Sequence, residues 1–288
     1  MKVLKKLYRR LKDKGAPLPL ILTQELKDSF NTPSVTGGNI NKNRAIVFGG
    51  TGGIGLATVE RFLVEGCAVT VVGRNPAKLE EVDKYLKSRN YCNYDLMQFD
   101  SLDLRNNQSF IQEGFFKRYD FFVNTVGVYS KEDGNGSFRN IEGRLFFNEV
   151  NTNFKSAVVL SEVCLRDFLE KDEGGVIVNI GSINSEQRKF KFTPYGISKY
   201  ALADYTKKTA KKLIGSHISM NLIQPGGVAT NMPNVNVTLG RNIAGRKSND
   251  LRRASLPEEM AAIIAFLCSP AGRNINGQII TASACEDF

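Results

Sequence analysis

The chain has 288 residues, enough to bury a substantial core without disulfides. Its formal charge of +10 is unevenly placed: residues 1–44 carry ten Lys/Arg and three Asp/Glu, a net +7, and the other 29 basic and 26 acidic residues leave only +3. That distribution argues against a nucleic-acid-binding surface, and the lack of a long unbroken apolar run argues against a membrane span.

Five cysteines (Cys67, Cys92, Cys164, Cys268, Cys285) form no C-x-x-C pair. With no secretory segment, they read as reduced thiols of a cytoplasmic protein. Residues 1–14, MKVLKKLYRRLKDK, space Val3, Leu4, Leu7, Tyr8 and Leu11 as on a helix, among basic side chains. The segment is expected to pack on its own domain or a neighbouring subunit, with contact to an anionic membrane or a partner as the other reading. Residues 15–43, with three prolines and three glycines, read as a connector. Residues 1–43 are thus an extension, and 44–288 are expected to form one domain.

From residue 44 short apolar runs alternate with helical patterns. RAIVF (44–48) precedes LATVERFLVEG (56–66), and AVTVV (68–72) precedes PAKLEEVDKYLKSR (76–89). YDLMQF (94–99), DFFVN (120–124), GVIVNI (175–180), HISMNLI (217–223) and GQIIT (277–281) complete about seven strands. The runs are too apolar for a sheet with one wet face. They predict an α/β fold: a doubly wound parallel sheet with helices on both faces.

VFGGTGGIGLATV joins the first strand to the first helix. Gly49 allows a sharp turn, and Gly53 and Gly55 allow a pyrophosphate and the sheet to come close. The helix N-terminus offers free N–H groups to the anion. Tyr195 and Lys199 open a later helix, one turn apart, and Ser182 stands just after the strand GVIVNI. Together Tyr195 and Lys199 could form an acid–base pair. A tyrosine titrates near ~10, and an ammonium one turn away is expected to lower that value. Spacing alone does not decide, because Tyr8 and Lys12 share it.

The order G-x-x-x-G-x-G, VNTVG, Ser182, Y-x-x-x-K and QPGGVAT resembles the classical short-chain dehydrogenase/reductase family over residues 44–281. The resemblance implies a Rossmann-type fold and nicotinamide-dependent hydride transfer between C4 of the ring and a carbonyl or secondary alcohol. It makes Tyr195 the proton donor or acceptor. Ser182 orients the oxygen, Lys199 tunes Tyr195 and holds the nicotinamide ribose, and Asn151 (in EVNTNF) supports a proton relay. It carries cofactor contacts onto Gly49, Thr51, Gly52, Gly53, Ile54 and Gly55, and onto Asn124, Gly127, Pro225, Gly226, Val228 and Thr230. Asp103 matches the acid that contacts adenine. Phe48 departs from the family, which usually has a structural threonine before the first glycine.

At the end of the second strand, where NAD-binding sites usually carry an acid, stand Gly73 and Arg74. A guanidinium suits a 2′-phosphate, so NADP(H) is expected. The only histidine, His217, has no metal-ligand partner at useful spacing. After Thr230 a polar stretch with Arg241, Arg246, Lys247, Arg252 and Arg253 reads as a solvated lid, with an anionic or acyl-thioester substrate as the sharper alternative. Phe190, Phe192, Met232 and Pro233 are candidate pocket walls. A homodimer or homotetramer is implied by the resemblance, although the chain ends in SACEDF rather than the usual Gly-Gly segment. The main expectation is an NADP(H)-dependent oxidoreductase. The alternatives are a 3-oxoacyl-thioester reductase and, in another class, a non-catalytic dinucleotide-binding regulator or scaffold.

Overall fold

A computed structural model describes residues 40–103, 112–129, 144–185, 193–230 and 254–283. The basic arm, most of the connector, the polar stretch after Thr230 with its arginines, Phe190, Phe192 and the last five residues lie outside them.

Seven parallel strands form one sheet in the order β3-β2-β1-β4-β5-β6-β7. They are β1 (Arg44–Phe48), β2 (Ala68–Gly73), β3 (Tyr94–Gln98), β4 (Phe121–Asn124), β5 (Gly175–Ile180), β6 (Ile218–Pro225) and β7 (Ile279–Ala282). β1 pairs with β2 on one side and β4 on the other, from Ala45↔Phe121 to Phe48↔Asn124. The direction of winding reverses across that seam, which is where open α/β sheets leave room for a ligand at the strand C-termini.

Alternation along β1 divides the core. Ala45 and Val47 face one cluster, with Val59 and Phe62 of α1 (Gly53–Val64), Val82 and Leu86 of α2 (Pro76–Ser88), and Ile264 of the C-terminal helix Pro257–Cys268. Ile46 and Phe48 face the other, with Leu160, Cys164 and Phe168. Strands buried on both faces must be apolar at every position, which is why their sequences read as continuous runs.

The helices begin where local chemistry allows. Asn75 caps α2 by accepting from the N–H groups of Ala77 and Lys78, and Pro76 fixes the first turn. On the far face, α3 (Arg144–Val150) runs through a π-helical turn (Asn151–Lys155) into α4 (Ser156–Phe168). α5 (Pro194–Lys212) starts at Thr193, whose Oγ1 accepts from the Gly196 N–H at 3.0 Å. α6 (Pro257–Cys268) packs on α1. Among the described residues no helix is long and apolar enough to cross a membrane, and Cys67, Cys92, Cys164 and Cys268 are free thiols.

Candidate active site

The glycine turn follows β1 directly. The N–H groups of Gly49 and Gly50 both donate to the Val72 carbonyl at 3.0 Å, tying the turn to the end of β2. Gly49 and Gly53 have φ of +78° and +52°, a region that favours glycine. A Cβ on Gly55 would run into the Gly49 backbone, and one on Gly53 would meet the Thr230 methyl at 3.1 Å. Gly52, exposed, precedes α1 and has open space around its Cα. Among the first-turn side chains of α1 there is no acid, so the free N–H groups face no competing charge. The turn is therefore a cradle of backbone groups, and it fits a pyrophosphate. Thr51 lies against Gly73, where a Cβ would overlap its methyl, and half-buried Ile54 packs on the core beside it.

Arg74 is exposed just past β2, and among the described residues nothing pairs with its guanidinium. Asp103 is half-buried in the turn after β3. Asn124, 1 % exposed at the end of β4, turns its Oδ1 to accept from the Val126 N–H, and its Nδ2 donates to Asn179. Pro225 ends β6. Gly226 donates to the Ala282 carbonyl, and Val228 bridges to Ser255. These pieces all stand at the C-terminal ends of strands.

The catalytic candidates converge at the same rim. Ser182 follows β5, and Tyr195 and Lys199 lie one turn apart on α5, all three buried. The Ser182 hydroxyl accepts from the Asn184 N–H at 3.2 Å and stands close enough to Tyr195 to act on its phenol. Lys199 Nζ donates to the Ile180 carbonyl at 2.8 Å and stands 5.8 Å from the Tyr195 ring centre. Gly127 leaves room for it, since a Cβ there would sit 3.3 Å from Nζ. Burial pushes the Tyr195 phenol up to about 12, the neighbouring Ser182 hydroxyl opposes this, and Glu149 and Tyr129 add to it. Burial alone brings Lys199 down to about 8. The expected lowering of the tyrosine by its lysine is thus not what the chain's own groups produce. Desolvation of the ring outweighs an ammonium that is itself buried and turned to a backbone carbonyl.

Asn151 is half-buried at the start of the π turn, where its carbonyl accepts from the Ser156 N–H five residues on. The asparagine tied to the site is Asn153. Wholly buried, it accepts from the Val128 N–H at 2.7 Å and donates to the Val128 carbonyl at 2.9 Å. It also donates to Ser198 Oγ at 3.1 Å, and that hydroxyl in turn donates to the Tyr195 carbonyl. Sequence reading took the first asparagine of EVNTNF; the second was visible in the same string, but the phase of the π turn was not. Glu149, fully buried, and Tyr129 both act on Tyr195, and neither stands in a motif that sequence could mark. The Tyr129 ring meets Tyr195 edge-on at 5.1 Å.

Residues 43–238 match the family model for short chain dehydrogenases. The chain belongs to the short-chain dehydrogenase/reductase family. It is 28 % identical over 247 residues to an acetoacetyl-CoA reductase of Acinetobacter sp. (strain RA3849), covering 82 % of this chain and 94 % of that protein. Its fold resembles a 3-oxoacyl-[acyl-carrier protein] reductase with bound NAD from Brucella melitensis, with a TM-score of 0.73, 20 % identity and coverage of 90 % and 94 %. It also resembles a single-residue variant of actinorhodin polyketide ketoreductase with NADPH, with a TM-score of 0.74, 24 % identity and coverage of 86 % and 98 %. This short-chain dehydrogenase/reductase is an oxidoreductase with a Rossmann-type nucleotide-binding fold, and its family uses a nicotinamide cofactor.

Proposed function

We propose that the protein is an NADP(H)-dependent reductase of carbonyls, or dehydrogenase of secondary alcohols, with Tyr195 as its general acid/base. The observation that carries this reading is the convergence of buried Ser182, Tyr195 and Lys199, the last two one helical turn apart, at the strand rim that also holds the glycine turn. A phenol held near 12 stays protonated at neutral pH, which suits a proton donor to a ketone oxygen. Ser182 holds the substrate oxygen within reach of that proton. Lys199, when protonated, stabilises charge on Tyr195 and supplies donors to the ribose. Asn153, rather than Asn151, supports this helix, through Val128 and Ser198. The nicotinamide, when bound, supplies or takes the hydride. Its dinucleotide would be held by Gly49, Thr51, Gly52, Gly53, Ile54 and Gly55, with Asp103 towards adenine. Asn124, Gly127, Pro225, Gly226, Val228 and Thr230 line the route to the ring.

Preference for NADP(H) rests on Arg74, a guanidinium open to solvent where an acid would repel the 2′-phosphate. The related structures carry NAD in one case and NADPH in another, so the preference is argued from this chain's residues alone. A 3-oxoacyl thioester is the substrate that the names of its relatives favour. The complete constellation argues against a non-catalytic binder. Exposed Phe147 and Tyr200, on α3 and α5, support a homodimer or homotetramer. The free thiols support a reducing, cytoplasmic setting. Residues 44–288 are proposed as the catalytic domain, with 1–43 as an appended arm.

The test is turnover of NADPH with ketones, aldehydes and 3-oxoacyl thioesters, followed by absorbance. Tyr195→Phe is expected to lower kcat by at least about 100-fold with NADPH binding unchanged. Unchanged turnover would refute the mechanism. Arg74→Ala is expected to raise KM for NADPH about tenfold and leave NADH nearly unaffected. Equal effects on both cofactors would refute the preference.

A further inference from the structure

We infer that Thr125 is a positioning residue for the glycine turn, fixing from the neighbouring strand the backbone that receives the pyrophosphate. The inference rests on the dinucleotide-binding reading above. Thr125 follows the last residue of β4. Its N–H and its Oγ1 both donate to one acceptor, the Phe48 carbonyl, at 2.9 and 2.8 Å. Phe48 is the last residue of β1 and immediately precedes Gly49. Two donors from one residue set the direction of that carbonyl, and with it the entry to the turn.

The same hydroxyl fills the hollow of the turn. A Cβ on Gly49 would lie 2.6 Å from Thr125 Oγ1, and one on Gly55 would lie 2.7 Å from it. The first and last glycines of the motif therefore close around this oxygen. Phe48 has no hydroxyl to offer, and its ring packs with Phe99 and Phe122 at centroid distances of 5.8 and 5.3 Å. Thr51, the turn's own hydroxyl residue, lies against Gly73 instead. The role falls to Thr125.

Thr125 also begins a strap. Two residues on, Gly127 borders Lys199, and Val128 exchanges two hydrogen bonds with Asn153. One short segment thus touches the phosphate end of the site and its catalytic end.

The experiment is fluorescence titration of the full-length protein with NADPH, comparing wild type with Thr125→Ser, Thr125→Val and Thr125→Ala. Loss of the hydroxyl in T125V and T125A is expected to raise Kd about three- to tenfold, and T125S is expected to stay within about twofold of wild type. Amide exchange in residues 48–56 is expected to be faster in T125V and restored in T125S. The serine–alanine pair isolates the hydroxyl even where valine prevents folding. Binding by T125V and T125A as tight as wild type overturns the inference, as does T125S falling as far as T125A. A wild-type protein that binds neither NADPH nor NADH overturns the dinucleotide-binding reading itself.

Discussion

Lys199 titrates near 8 in the folded protein, against an ordinary 10.5. Between these values the unfolded chain holds the proton and the folded chain releases it. Folded stability therefore rises with pH across that window. The charged form carries the full cost of burial below pH 8, and the cost is gone above 10.5. The difference of about 2.5 pKa units from these two values corresponds to about 3 kcal/mol. Lys199→Met removes the titration. In urea unfolding, its stability relative to wild type is expected to fall by up to about 3 kcal/mol from pH 7 to 10.5. A gap that does not change with pH would contradict a buried, depressed lysine. At this scale the sequence was informative about identity and silent about environment. Tyr195, Lys199 and Ser182 could be picked out by their order along the chain. The burial of Tyr195 and Lys199, which decides how those two titrate, depends on what α5 packs against.

The element that governs the far side of the site is the π turn. It closes a hydrogen bond over five residues, Ser156 N–H to Asn151 C=O, inserting one extra residue between α3 and α4. A helical wheel drawn through 144–168 loses its phase there by about 100°. Periodicity therefore could not tell which asparagine of EVNTNF points at the site. The hydrogen bonds choose Asn153. Asn153→Ala leaves the half-buried N–H and carbonyl of Val128 without their partner and is expected to cost about 1–3 kcal/mol, with kcat reduced. Asn151→Ala is expected to change stability by less than about 0.5 kcal/mol and to leave kcat near wild type. Urea denaturation and steady-state kinetics on the pair check this. If the two variants rank the other way, Asn151 is the residue that matters. The turn after β1 was easier to read, because its glycines are demanded by φ and by close approach, both local properties.

At the scale of the molecule, the strands were legible because a sheet covered on both faces writes itself as apolar runs. RAIVF has the same bounds in both readings, and β6 runs on two residues past its predicted end, to Pro225. The strand order was not written in any run, since it depends on which edges meet. The glycine turn belongs to the β1–β3 half of the fold, and Ser182, Tyr195 and Lys199 belong to the half that begins at β4. The halves meet along the β1–β4 seam and where α6 lies on α1. During synthesis β1 must wait for β4, some 77 residues later, to supply its partner. Pairings that distant form late, because the intervening loop must close first. The grip on the dinucleotide and the proton-donating pair therefore come into register only when that seam zips. A nascent chain or a proteolytic fragment holding either half alone has the residues of one part of the site and no site.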